Sequence, residues 1–268
     1  NRRSRGLGDV YKRQLITGST SGIGYTTAKI LLKEGATVYI NGRNHSSVEN
    51  AVSQLKNEVA NPKVFGLVAD FFKLNQVESL LKKLSEIDIL INNVGIYTSK
   101  SFFDTTIETW KDQFQVNLMS CVCLSKHYLK GMLERNWGRI LFISSECAYL
   151  VPPDMISYSA TKASMHAVSR GLAHITRGTR VTSNVIVPGS TFTKGAKNFL
   201  NEKAVTQNTS MDNIEKDFFN NIRTSSLLER FASTDEVANT ITYLCSPLSS
   251  ATNGSVIKVD GGSSGGIL

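Results

Sequence analysis

Thr17-Gly18-Ser19-Thr20-Ser21-Gly22-Ile23-Gly24 follows the short apolar run Leu15 to Thr17 and opens a helical pattern from Ile23 to Glu34. Glycines in such a place permit a tight turn and let backbone come close to a ligand. The free N–H groups and positive dipole end of the following helix suit an anion, a pyrophosphate above all. A purely structural turn would use the same residues, and the spacing is not the common G-x-G-x-x-G. The motif takes its weight from placement, because strand, turn and helix in this order are what a dinucleotide site requires.

The same alternation repeats along the chain. Strands are expected at Leu15 to Thr17, Thr37 to Asn41, Val64 to Ala69, Ile87 to Asn92, Arg139 to Ser144, Thr182 to Val187 and Val256 to Val259. Between them, Ile23 to Glu34, Ser46 to Val59, Ile107 to Arg135 and Ser157 to Arg177 carry apolar residues at helical spacing. Repeated strand–helix–strand units predict a single doubly wound, Rossmann-like α/β domain: a mostly parallel seven-stranded sheet with helices on both faces. The long departure is 190–231, which we read as a substrate lid. Its Phe192, Phe199, Phe218 and Phe219, with Lys194, Lys197 and Lys203, suggest an apolar pocket with a basic rim, although plain packing would explain the phenylalanines equally well.

Charge qualifies this picture. Lys+Arg 30 against Asp+Glu 22 gives a formal +8 over 268 residues, a surplus that raises the question of nucleic acid. Arg2, Arg3, Arg5, Lys12 and Arg13 fall in the first fourteen residues, where Asp9 is the only acid, so half of the surplus sits there. This stretch lacks the apolar region of a secretory signal. Ser4 to Gln14 resembles the translation of a transposase adapter used in DNA library preparation, and Asp9 to Gln14 back-translates naturally to GAT GTG TAT AAG AGA CAG. We therefore expect residues 1–14 to be a cloning or assembly remnant in place of the native start, with one domain over 15–268. Lys12, Arg13 or Gln14 in a central parallel strand would be costly, which agrees with that reading.

With that stretch set aside, the mild remaining surplus predicts no nucleic-acid partner. No apolar run is long enough to span a bilayer. Cys121 and Cys123, two apart on a helix, point to different faces, while Cys147 and Cys245 stand alone, so free thiols in a cytoplasmic protein are expected. The four histidines, His45, His127, His166 and His174, show no metal-ligand spacing, and no metal is expected.

Two further clusters carry chemistry. Asn41-Gly42-Arg43-Asn44 ends the second strand with no acid between Tyr39 and His45. An acid there would take the ribose 2′-hydroxyl of NAD, whereas Arg43 can pair with the 2′-phosphate of NADP. Tyr158 and Lys162 lie four apart on one helix face, where the ammonium would favour the phenolate and lower the tyrosine pKa. Ser145 ends the preceding strand at the sheet edge where such folds bind ligands.

Together these residues resemble the short-chain dehydrogenase/reductase family, from Leu15 to Gly262. Thr17 to Gly24 matches its T-G-x-x-x-G-x-G, and Asn92-Asn93-Val94-Gly95 is similar to its N-N-A-G. Pro188-Gly189 with Thr191 and Thr193 resembles its nicotinamide-side loop, and Asn253-Gly254 to Asp260-Gly261-Gly262 its C-terminal strand. The resemblance makes Asn117, Ser145, Tyr158 and Lys162 a catalytic tetrad. Tyr158 would protonate a carbonyl oxygen or deprotonate an alcohol, and Ser145 would bind that oxygen. Lys162 would lower the tyrosine pKa and bind the nicotinamide ribose, and Asn117 would hold a proton-relaying water.

The resemblance also implies cofactor contacts. It places Gly18, Ser19, Ser21, Gly22, Ile23 and Gly24 at the pyrophosphate, Asp70 with Phe71 at adenine, Asn93 and Gly95 on the adenosine side, and Pro188, Gly189, Thr191 and Thr193 along the nicotinamide–pyrophosphate portion. Phe71-Phe72 stand where the family usually has a small or hydroxyl residue. The implied enzyme uses NADP(H) in preference to NAD(H) on a small carbonyl or alcohol. Members similar to the 3-oxoacyl-carrier-protein reductases look most alike, and they form dimers or tetramers. The rivals are an alcohol, sugar or steroid dehydrogenase of the same family, and a non-catalytic dinucleotide-binding regulator, against which the complete tetrad argues.

Overall fold

The computed structural model describes residues 12–266. Residues 1–11, most of the stretch read as a remnant, lie outside them. The first half of the domain runs β1 (Arg13–Ile16), α1 (Gly22–Lys33), β2 (Thr37–Gly42), α2 (His45–Glu58), β3 (Lys63–Val68), α3 (Leu74–Lys83) and β4 (Ile89–Asn92). It continues with α4 (Ile107–Gln113), a π-helical segment (Phe114–Met119), α5 (Ser120–Glu134), β5 (Gly138–Ile143), α6 (Cys147–Leu150), α7 (Ile156–Ile175) and β6 (Val181–Pro188). Within residues 190–231, read from the sequence as a lid, α8 (Lys194–Thr206) and α9 (Met211–Asn221) precede α10 (Thr234–Cys245) and β7 (Val256–Val259). Each strand falls within two residues of its expected limits, whereas the single helix expected over Ile107 to Arg135 is broken by the π-helical turn.

The sheet order is β3-β2-β1-β4-β5-β6-β7. Every pairing is parallel, so the sheet is wholly rather than mostly so. Strands covered on both faces need apolar side chains both ways. In β4, Ile89 and Ile91 enter one core while Leu90 enters the other. The first core is closed by Leu31 of α1, Leu55 of α2 and Ile241 of α10; the second by Leu80 of α3, Leu124 of α5 and Met165 of α7. The lid has a separate core of Leu200, Ala204, Ile214, Phe219 and Phe231.

The start of β1 departs from this pattern. Arg13 reaches out to Glu86 at 2.9 Å, and Lys12 Nζ lies 3.9 Å from the centre of the Trp137 ring. Gln14 has no such exit. It is buried between Val38 and Ile89, and neither atom of its side-chain amide has a hydrogen-bond partner. A buried amide left unpaired costs about 1–3 kcal/mol. Gln14→Leu should therefore raise the unfolding free energy by about that amount, shifting the urea midpoint upward with an unchanged slope.

Candidate active site

Strand order reverses direction between β1 and β4, and a crevice opens there beyond the carboxyl ends of the strands. The glycine turn forms one wall. Gly18 (φ +59°) and Gly22 (φ +58°) both take the left-handed region, and a Cβ on Gly18 would sit 2.9 Å from Val94 Cα. Asn93 holds the turn in place, its Nδ2 donating to the carbonyls of Thr17 and Gly18 at 2.9 Å each. Thr17 Oγ1 accepts from the N–H groups of Asn93 and Val94 in return. Behind the turn, α1 starts with no acid in its first turn and no side-chain cap from Ser21, so its N-terminal N–H groups remain available to an anion.

The crevice is a cavity of about 260 Å³ lined by, among others, Gly18, Ser21, Arg43, Asp70, Asn93 and Gly95. Arg43 is exposed at its rim and forms no ion pair or hydrogen bond among the described residues. Asp70 is held by its N–H donating to Gln76 Oε1 and by Oδ1 accepting from the Phe72 N–H. A close-approach turn, an uncapped helix start and an unpaired guanidinium together fit a dinucleotide with a further anion at its adenosine end.

Some expected contacts serve the frame instead. Ser19 is fully buried, donating to the Ile16 carbonyl and accepting from the Asn41 N–H, so its side chain does not face the cavity. Phe71 turns its ring into the core and leaves only backbone to the cavity, while the half-exposed Phe72 takes the lip. Gly24 and Ile23 lie beneath the turn: a Cβ on Gly24 would meet Asn93 Nδ2 at 2.6 Å, and Ile23 packs on the core. Gly22 faces Thr193, whose Cγ2 would lie 3.5 Å from a Cβ there, so the lid root meets the glycine turn.

The inner end of the cavity meets the expected catalytic set. A Cβ on Gly95 would lie 3.3 Å from Lys162 Nζ and 3.7 Å from Asn117 Oδ1. Asn117 sits in the π-helical segment, whose widened turn carries it fully buried to this point. Its Oδ1 accepts from the Ile96 N–H at 2.8 Å, and its Nδ2 donates to the Ile96 carbonyl and to Thr161 Oγ1. Lys162 Nζ donates to the Ile143 carbonyl at 2.8 Å and lies 5.6 Å from the centre of the Tyr158 ring. Ser145 Oγ accepts from the Cys147 N–H at 3.2 Å. The tetrad is thus brought together by α7, the end of β5 and the π-helical turn.

The electrostatics differ from the sequence expectation. Burial pushes the Tyr158 phenol well above its ordinary range; the negative charge that Cys147, Tyr97 and Glu146 can carry adds to this, and the Ser145 hydroxyl opposes it. Lys162 is itself desolvated, and its pKa falls to about 8. The net shift of Tyr158 is therefore upward despite the nearby Lys162, with burial as its largest cause.

Residues 12–204 match the family of short chain dehydrogenases. The chain belongs to that family. It is 42% identical over 254 residues to the uncharacterized oxidoreductase YvrD of Bacillus subtilis (strain 168), covering 94% of this chain and 95% of the relative. It is 32% identical over 260 residues to the 3-oxoacyl-[acyl-carrier-protein] reductase FabG of Aquifex aeolicus (strain VF5), covering 94% and 96%. The structure of L-sorbose reductase from Gluconobacter frateurii complexed with NADPH and L-sorbose superposes with a TM-score of 0.90 at 27% identity, covering 97% of this chain and 99% of that one. This short-chain dehydrogenase is an NAD(P)-dependent oxidoreductase acting between CH–OH and C=O.

Of the two readings open for the phenylalanines of residues 190–231, packing accounts for Phe218 and Phe219. Phe218, Phe219 and Phe231 pack on one another with ring centres 5.0 to 5.3 Å apart, forming the lid's own core rather than a substrate wall. Lys203 lies over the Phe199 ring at 4.9 Å. Pro188 and Gly189 end β6 beside β7, where the Gly189 N–H donates to the Val259 carbonyl, and Thr193 caps α8. The sequence reading missed Thr161, which fixes Asn117; Asn41, whose Oδ1 accepts the Gly18 N–H; and Tyr97, whose ring meets Tyr158 edge-on at 6.0 Å. Their signal was only a polar or aromatic residue beside a motif.

Lys162 is a cation below about pH 8 and neutral above it. The raised Tyr158 stays protonated across that range, so it is Lys162 that titrates. In the reductive direction kcat/KM for the nicotinamide coenzyme, which reports the free enzyme, should fall as pH rises through about 8. A flat profile from pH 6 to 10 would contradict the assignment.

Proposed function

We propose that this dehydrogenase is an NADP(H)-dependent reductase of a ketone, of 3-oxoacyl type or closely related. The observation that carries the reading is the crevice with Arg43 at one end and, at the other, Gly95, against which Lys162 and Asn117 lie. The 3-oxoacyl reductase relative and the NADPH-bound sorbose reductase structure support both substrate class and coenzyme.

The bound nicotinamide would supply the hydride. Ser145 would hold the carbonyl oxygen and stabilise its growing charge. Tyr158, kept neutral by burial, would give its proton to that oxygen, and Lys162 would limit the cost of the resulting phenolate. Asn117, pinned between Ile96 and Thr161, would keep the proton path behind Lys162 in register. Arg43, with no competing partner among the described residues, would pair with the 2′-phosphate.

Two further proposals concern assembly and location. A groove between α5 and α7 is lined by Val122, Leu129, Leu133, Val168, Leu172 and the exposed Ile175, a face suited to a second copy and hence to a homodimer or tetramer. Cys121, Cys147 and Cys245 are buried free thiols, as suits a protein of the reducing cytoplasm.

The tests follow from these roles. Tyr158→Phe should bind NADPH as before and lose roughly 10²-fold to 10⁴-fold in turnover. Arg43→Leu should weaken NADPH roughly tenfold, equivalent to one charge-assisted hydrogen bond, while leaving NADH little changed. Both are read by coenzyme titration and by turnover on a panel of 3-oxoacyl thioesters, simple ketones and sugars. Tighter binding of NADH than NADPH by the unaltered enzyme would remove the coenzyme assignment.

A further inference from the structure

The residue after the candidate catalytic serine is a carboxylate that family motif and tetrad leave unused. Glu146 is 3% exposed, and its N–H donates to the Pro188 carbonyl, so the backbone that presents Ser145 is tied to the end of β6. Its Oε1 accepts from Ser190 Oγ at 2.9 Å and from Arg223 Nε at 3.0 Å, whereas Oε2, also buried, has no hydrogen-bond partner. Ser190 lies at the near root of the lid and Arg223 just beyond the far end of α9. One oxygen therefore holds both the start of the 190–231 segment and the turn that follows α9.

The grip continues into the lid. Arg223 Cζ lies 5.7 Å from the centre of the Phe218 ring, and the Arg223 N–H donates to the Phe218 carbonyl, so the guanidinium is fixed to the aromatic core of α8 and α9. At the root, Thr191 bridges to Ala232, which closes the lid into one loop. Both partners of the ion pair are nearly out of solvent, with side-chain exposures of 14% for Arg223 and 4% for Glu146. Moving the lid outward would strand a buried carboxylate, and that is costly because no water replaces its partner.

We propose that Glu146 is a positioning residue: through Ser190 and Arg223 it latches the substrate lid to the strand end that presents Ser145. The latch couples lid closure to the orientation of the group that receives the carbonyl oxygen. It deepens the ketone-reductase reading, and its kinetic consequence rests on that reading. Its mechanical consequence does not.

The experiment pairs hydrogen exchange with kinetics on Arg223→Met, Arg223→Lys, Glu146→Gln and the Glu146→Gln/Arg223→Met double variant. In Arg223→Met, amides of α8 and α9 should exchange roughly tenfold faster or more, while those of α1 and β4 keep their protection. KM for the carbonyl substrate should rise about fivefold or more with kcat within about threefold, since the lid acts on substrate capture. Binding of adenosine 2′,5′-bisphosphate, which would fill only the adenosine-side cavity, should be unchanged and shows that the domain is intact.

Arg223→Lys should recover most of the protection. The double variant should be less perturbed than Arg223→Met alone, because the neutral Gln no longer strands a charge. Unchanged lid exchange in Arg223→Met, or single effects that merely add in the double variant, would overturn the latch. Should the unaltered protein reduce no carbonyl while lid exchange still responds with this coupling, the functional reading fails and the latch stands.

Discussion

Thr17 and Asn93 join the ends of two strands that lead away from each other in the topology. The Asn93 amide donates to the carbonyls of Thr17 and Gly18, and the Thr17 hydroxyl accepts the N–H groups of Asn93 and Val94. Each bond satisfies a backbone group that the parting strands would leave unpaired beside the crevice. The result is a glycine turn fixed with its backbone toward the cavity. Nothing larger than glycine fits at position 24 against that clasp, since a Cβ there would come within 2.6 Å of Asn93 Nδ2. Cofactor wall and sheet switch point are thus one construction, and Gly95, two residues beyond Asn93, carries it to Lys162 and Asn117.

Burial then decides how the catalytic groups behave. A tyrosine held out of water resists ionisation, and a lysine held out of water resists protonation, so desolvation drives their two pKa values apart, the tyrosine upward and the lysine downward. Tyr158 is therefore held protonated, and Lys162 is a cation only weakly held. Lysine deprotonation rather than tyrosine ionisation becomes the first event on the alkaline side. A bound anion near Lys162 would favour its charged form, which makes the charge state of the site responsive to the ligand it binds.

Most of the fold was legible in the sequence because parallel strands covered on both faces carry short apolar runs, as in Ile89–Ile91, Ile140–Ile143 and Val185–Val187. The nearness of Ser145, Tyr158 and Lys162 was legible for a related reason, since Ser145 follows the end of β5 and the other two share the first turns of α7, whereas Asn117 lies inside the π-helical segment. What was hidden depends on contacts between distant residues. The break at Phe114–Met119 cannot be seen from side-chain periodicity, because a π-turn adds one residue to a turn without altering its apolar face much. Ser19 and Phe71 looked like ligand contacts by position, yet hydrogen bonds to Ile16 and Asn41 claim the first, and the core claims the ring of the second. Glu146 and Arg223 are 77 residues apart, and no local pattern pairs them.

The lid shows why substrate is the least legible property. Its aromatic residues looked like pocket walls, but a forty-residue excursion must first bury enough apolar surface to hold its own shape, and Phe218, Phe219 and Phe231 are spent on that. The surface left to meet a substrate is then set by residues whose role follows from position alone, such as Tyr97 beside the catalytic ring and the half-exposed Phe192 at the lid root. Tyr97 belongs to neither sheet core, and Phe192 meets the core of the 190–231 segment only at its edge, 6.3 Å from the Phe231 ring. A frame closed by the Thr17–Asn93 clasp at one end and by Glu146 at the other can therefore keep one chemistry while its substrate varies, and the variation is confined to the rim between them.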